Sequence, residues 1–202
     1  WNATDNDNDT LLYSVLFRAG CISDDLLSLR KITSKLEGHP MPRSLDWIKV
    51  ATGSLGQGLS VGLGFAIAAK LQKKNYRTYV LLGDSELAEG SNYEAMQLAH
   101  YYRLNNLIAI VDVNRLGQRG QTMIGHNLEV YKKRFSAFGW HVIVIDGHNV
   151  KQIKDALHRA HSALQPTVIL AKTIKGKGIP FLENQEGWHG KALSHEQTQA
   201  AL

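Results

Sequence analysis

The stretch 78-TYVLLGDSELAEGSNYEAMQLAHYYRLNNLIAIVDVNRLGQ-118 decides the fold. It opens on a short apolar run, passes through a polar turn into a segment with helical apolar spacing, and closes on a second apolar run. A strand, a helix and a strand in that order make a crossover unit whose two strands lie parallel. Outward from it the alternation continues. Strand candidates at 142–146 and 167–171 join those at 78–82 and 107–113, with helix candidates at 91–102, 127–138 and 151–163 between them. Strands that are apolar along nearly their whole length are buried on both faces. The expected fold is therefore α/β, a doubly wound, mostly parallel sheet with helices on both faces.

Upstream, the apolar segment 59–71 is too short for the roughly 20 residues that span a bilayer and reads as a buried helix. Leu11, Leu12, Val15 and Leu16 recur at helical spacing within 11–19, and a second amphipathic helix is expected over 24–32 behind an N-cap at Ser23. The segment 38–49 holds two prolines and reads as a loop. The first ten residues, WNATDNDNDT, have almost no apolar side chains to bury, so 1–10 is expected to be an irregular polar lead and 11–202 a single domain.

The composition, 44% hydrophobic and 20% charged, excludes disordered and collagen-like chains. The single cysteine, Cys21, cannot pair within the chain, in keeping with a reducing compartment and an expected cytoplasmic location. Lys and Arg outnumber Asp and Glu by 23 to 18, an excess spread along the chain with no run beyond short pairs such as that ending in Arg134. Neither nucleic acid nor membrane is an expected partner, whereas a mildly basic surface suits phosphorylated ligands.

In a doubly wound sheet, ligands sit beyond the carboxyl ends of the strands. The first strand of the quoted stretch runs into Gly83-Asp84-Ser85-Glu86 and the second into Asp112-Val113-Asn114-Arg115-Leu116-Gly117. Magnesium takes about six oxygen ligands, usually only one or two of them protein carboxylates, the rest coming from phosphate oxygens and water. The Asp84 carboxylate, the Asn114 amide oxygen and the Leu116 carbonyl would supply one charged and two neutral oxygens, with a diphosphate completing the set. Taken singly, Asp84 and Asn114 are equally at home as turn and cap residues. Their placement one crossover apart, both at strand ends, points to a shared ligand.

The segment from Gly83 to Asn114 resembles the thiamine diphosphate fingerprint, which opens Gly-Asp-Gly and closes on an Asn about thirty residues later, the span of one such crossover. The segments LLYSVLFRAG, EGHPMP, VATGSLGQGL, EGSNYEAM, VNRLGQ, FGWHV, AKTIKGKGI and GWHGKAL resemble those of transketolases, the animal type in particular, and stand in the family's order. The similarity covers nearly everything from Leu11 onward. It implies the N-terminal, diphosphate-binding domain of that family and its fold.

By that resemblance, Asp84, Asn114 and the Leu116 carbonyl hold magnesium, and Gly53, Ser54 and Leu55 approach thiamine diphosphate through backbone atoms. Without it, the GSLGQG run reads as tight helix packing. Ser85, Asn114, Gln118, Lys175 and His189 fall on the cofactor side. Ser85 stands where the family has the last glycine of Gly-Asp-Gly, so a Cβ faces the expected diphosphate. His39 and His189 match histidines lining the channel to the thiazolium ring, where imidazole bonds sugar hydroxyls and exchanges protons near neutral pH. Glu89 matches a glutamate that bonds across the subunit interface. His100, His126, His141, His148, His158 and His161 read as surface or loop residues, with no zinc spacing among them.

The implied reaction is transfer of a two-carbon ketol unit from a ketose phosphate to an aldose phosphate, with the cofactor carrying the hard chemistry and the protein positioning groups and managing protons. The family takes the pyrimidine end of the cofactor on a second domain from the partner subunit. No matching segment is found in these 202 residues. A pyrimidine-binding domain or subunit and a dimeric assembly are thus expected partners. Asp5, Asn6 and Asp7 stand where the family carries a cofactor-proximal histidine. A piece of a longer transketolase or one subunit of a split enzyme is the favoured reading, and a degenerate homologue serving as an interaction scaffold is the alternative. An unrelated dinucleotide-binding domain is disfavoured, since no Gly-x-Gly-x-x-Gly follows the first strand.

Overall fold

The computed structural model describes residues 2–3 and 9–202, with side chains from Leu11 onward. Five parallel strands form one sheet in the order β1-β2-β3-β5-β4. They are β1 (Asn2–Ala3), β2 (Thr78–Gly83), β3 (Leu107–Val113), β4 (His141–Asp146) and β5 (Thr167–Lys172). The helices are α1 (Asp9–Arg18), α2 (Gln57–Leu71), α3 (Gly90–Tyr101), α4 (Leu128–Ala137), α5 (Val150–His161) and α6 (His195–Ala201).

The chain walks across the sheet from β2 to β3 and on past a vacant place to β4, then turns back to insert β5 into the gap. Right-handed crossovers put helices on one face for steps in one direction and on the other face for the return. The core divides accordingly. Leu59, Leu63, Met96, Tyr131 and Phe135 from α2, α3 and α4 pack with Val80, Leu82, Val111 and Leu170 on one face. Ala156 and Ala160 of α5 pack with Ile108, Ile143 and Ile169 on the other. A smaller cluster of Tyr13, Leu36, Leu45 and Ile48 anchors the 20–50 segment on α1, with the Tyr13 hydroxyl donating to the Glu37 carbonyl at 2.8 Å.

Three expectations need correction. The polar lead is not irregular throughout, because Asn2 and Ala3 pair in parallel with Val80 and Leu81 of β2. Such pairing uses backbone groups alone and does not require apolar side chains. Asp5, Asn6 and Asp7 lie outside the described residues. In place of the helix over 24–32 there is one 3-10 turn at Leu26–Ser28, capped by Asp25 rather than Ser23. Arg30 has a φ of 62°, which breaks any helix there; Leu26 and Leu29 pack on the Tyr13 cluster while Leu27 and Ile32 remain exposed. Finally, α6 was not expected, although Ser194 and Gln197 form a full capping box at its start.

Helix α2 lies close against β2 because it carries glycines on its buried side. A Cβ built on Gly62 would stand 2.3 Å from Val80 Cγ2. Gly62→Ala gains helix propensity but overfills this contact, and the expected net loss is about 1–2 kcal/mol. A denaturant melt reads it as a lowered midpoint, part of which Val80→Ala in the same chain restores. A Gly62→Ala chain as stable as the parent would refute this account of the packing.

Candidate functional site

The ladder between β2 and β3 runs in register to its end, with Gly83 opposite Asp112. It continues one step further, since the Asp84 N–H donates to the Asp112 carbonyl at 3.1 Å. The two polar tips are therefore neighbours. Asp84 is 5% exposed, and its carboxylate accepts from the N–H groups of Ser85 at 3.0 Å and Arg115 at 2.8 Å and from the Thr122 hydroxyl at 3.2 Å. Arg115 adopts a φ of 66° to turn its N–H inward. Asn114 is buried, and its Oδ1 accepts from the Leu116 N–H at 2.9 Å.

Burial pushes the Asp84 carboxyl up to about 6, against the hydrogen bonds from Arg115 and Thr122 that lower it. Among the described residues, no basic side chain hydrogen-bonds to it. The oxygen atoms at this tip are hard donors, one of them a carboxylate whose ionised form is poorly solvated. That set fits a hard divalent cation bearing further oxygens from a phosphate group. A cavity of about 370 Å³ opens beside it, lined in part by Asp84, Ser85, Gly117, Arg119, Thr122 and Tyr131. Ser85 turns its side chain toward Gly117, where a Cβ would stand 3.3 Å from that of Ser85.

The remaining expected residues arrive on loops around these tips. Gly53, Ser54 and Leu55 lie in the connection leading into α2, and a Cβ on Gly53 would stand 3.0 Å from the His39 ring. His39 is thus packed on the Gly53 backbone and otherwise exposed. Lys175 and His189 come together after β5, with Nζ and Nδ1 3.2 Å apart. Gln118 is exposed on the turn after β3, and exposed Glu89 is the N-cap residue of α3 without a side-chain cap bond. Leu116 is buried beside the Asn114 amide and forms an isolated bridge with Gln121.

Five residues were not picked out by the sequence. Glu86 is fully buried, and its carboxylate accepts from the N–H groups of Gly56 at 2.8 Å and Gly83 at 3.1 Å, tying the 53–56 loop to the end of β2. Gly56 itself must be glycine, with a φ of 85° and Glu89 Cβ 2.5 Å from where its own would be. Thr122 holds Asp84 from across the 117–122 turn. His126 and His148 brace the exit from β5, the first against the Thr173 carbonyl at 2.9 Å and the second accepting from the Ile174 N–H at 2.8 Å. A buried glutamate inside an acidic run carries no local signal of its burial, and the other four act through partners distant in sequence.

The family model for the transketolase thiamine diphosphate binding domain matches residues 6–201. Transketolase of Homo sapiens is 50% identical over 194 residues, covering 95% of this chain and 31% of its own length. Transketolase-like protein 2 of Mus musculus is 48% identical over 195 residues, again covering 95% of this chain and 31% of its own length. The solved transketolase of Campylobacter jejuni superimposes with a TM-score of 0.87 at 35% identity, covering 99% of this chain and 33% of that one. A Pichia stipitis transketolase variant, solved in complex with fructose 6-phosphate, gives 0.84 at 28% identity, with 99% and 32% covered. The chain spans about a third of the length of these relatives.

The raised Asp84 carboxyl sets a pH dependence for the ligand-free chain. The folded state holds this proton up to about pH 6, whereas the unfolded chain releases it near 3.8, so this group's contribution is full at lower pH and lost as pH rises through 6. The size of that loss is on the order of 3 kcal/mol. Chemical denaturation from pH 4 to pH 7 should show the decline in the parent and not in Asp84→Asn, which has nothing to titrate. Parallel profiles would contradict it.

Proposed function

The chain belongs to the transketolase family through its thiamine diphosphate-binding domain, and on that premise we propose that residues 11–202 act as one unit binding thiamine diphosphate with magnesium. The observation that carries the reading is the side-by-side placement of Asp84 and Asn114 at the ends of paired strands. In this reading the Asp84 carboxylate, the Asn114 amide oxygen and the Leu116 carbonyl hold the cation. Gly53, Ser54, Leu55, Ser85 and Gln118 offer backbone and side-chain atoms toward the cofactor. Lys175 is positioned by His189 to place positive charge near the diphosphate.

Thiamine diphosphate supplies, when bound, the electron sink that lets a carbon–carbon bond beside a carbonyl break. The chain's own residues bind, orient and move protons. His39 and His189 are assigned to substrate hydroxyls and proton exchange, a task for which imidazole is suited near neutral pH. Glu89, exposed at the start of α3, is assigned to the contact with a partner subunit. The overall reaction proposed is transfer of a two-carbon ketol unit between sugar phosphates, completed by a separate pyrimidine-binding domain in a dimeric assembly. The fructose 6-phosphate complex of the Pichia stipitis relative supports the substrate class. A scaffold role has no use for a buried carboxylate and an amide oxygen set together at strand ends, and is the weaker reading.

Calorimetric titration with thiamine diphosphate, with and without Mg2+, tests the binding. The parent should bind in a cation-dependent manner and Asp84→Ala should lose that dependence while staying folded. Equal affinities in parent and variant, or no binding by a folded parent, would overturn the reading. A separate assay addresses completeness: the purified chain should show no ketol transfer until a pyrimidine-binding domain is added, and turnover by the chain alone would sink that requirement.

A further inference from the structure

The tip of β3 carries a second carboxylate to which the proposed function gives no task. Asp112 lies between the two candidate cation-binding residues. Its carbonyl accepts from the Asp84 N–H, and its Oδ2 accepts from Asn114 Nδ2 at 2.9 Å. Its Oδ1 accepts a short hydrogen bond from the Thr173 hydroxyl, just beyond β5. Thr173 is itself fixed, its N–H donating to the Val113 carbonyl at 3.1 Å and its carbonyl engaged by His126.

An asparagine amide has two ends of nearly the same shape and opposite chemistry, and a half-turn exchanges them. Here both neighbours select the same orientation. A carboxylate only accepts, so Asp112 takes the Nδ2 end. The Leu116 N–H only donates, so it takes the Oδ1 end. A hard cation is bound by oxygen and repelled by an N–H. If the Asp112 acceptor were removed, the amide would lose the stronger, charge-assisted restraint on its orientation.

Resting on the cofactor reading above, we propose that Asp112 is a positioning residue that holds the Asn114 amide with its oxygen turned toward the cation, Thr173 locking Asp112 in place. Asp112 is not itself assigned as a ligand. Residues that orient a metal ligand typically cost 10–100-fold in metal affinity when removed.

The test compares Asp112→Asn, Asp112→Leu and Thr173→Val with the parent. Asp112→Asn keeps an oxygen for Asn114 Nδ2 and turns its own amide toward Thr173, whose hydroxyl then accepts. Asp112→Leu keeps the approximate volume and removes the acceptor. Two readouts are taken. In the ligand-free chain, the side-chain amide resonances of Asn114 should be slow to exchange in the parent and in Asp112→Asn, and lose that protection in Asp112→Leu. In Mg2+ titrations at fixed thiamine diphosphate, Asp112→Leu should weaken the cation roughly 10–100-fold and Asp112→Asn should stay close to the parent. Should Asp112→Leu fail to fold, Thr173→Val carries the same test, with a weakened cation expected.

Protected Asn114 amides in Asp112→Leu, or cation affinity in it or in Thr173→Val equal to the parent, would overturn the proposal. So would an Asp112→Asn chain as weak as Asp112→Leu, which would mean that charge and not orientation matters. Cation-dependent binding that is lost in Asp84→Ala but unchanged in Asp112→Leu rejects this inference alone. A parent without any such binding rejects the cofactor reading and this inference with it.

Discussion

The parallel pairing of β2 with β3, kept in register to its last residue and carried one hydrogen bond beyond, is the constraint on which the rest of the site depends. A slip of one residue would carry Asp84 away from the Asp112 carbonyl and the Arg115 N–H and dissolve the relation of the two tips. With the register held, the backbone after Asn114 can only turn sharply, and in doing so it delivers the Arg115 N–H to the Asp84 carboxylate. The result is an acid that the fold has buried and hydrogen-bonded, with no basic side chain among its partners in the described residues. Its ionised form is costly until positive charge is brought to it.

The strand order explains how the other participants reach the same edge. The reversal after β4 places β5 beside β3, so the segment leaving β5 passes the end of β3 and brings Thr173 to Asp112 and the paired Lys175 and His189 to the rim. On the other side, the satellite cluster around Tyr13 fixes the 36–48 segment and, through the Tyr13 bond to Glu37, the chain just before His39. Glu86 closes the arrangement from beneath, fastening the loop before α2 to the end of β2.

Much of this was legible in the sequence, for physical reasons that also mark where legibility ended. The four long strands were found to within a residue at either end because an apolar run buried on both faces has few other uses. That Asp84 and Asn114 stand at neighbouring strand tips was legible because they directly follow such runs, at the carboxyl ends of adjacent strands. The helix expected over 24–32 failed because Arg30 enters the left-handed region after a single 3-10 turn, while Leu26 and Leu29 still pack on the Tyr13 cluster. Glu86, Asp112, Thr122 and Thr173 escaped notice because what they do is defined by partners many residues away. Nothing about a glutamate in Asp84-Ser85-Glu86 distinguishes a fully buried side chain from a solvated one.

Ser85 and Gly117 belong to different strand tips yet occupy one small volume, the side chain of the first filling the place that the second leaves empty. The two positions therefore share a fixed allowance of atoms. A side chain at 117 would stand 3.3 Å from Ser85 Cβ, so it would require Ser85 to give way by a few tenths of an ångström. A substitution at either position is therefore felt at the other.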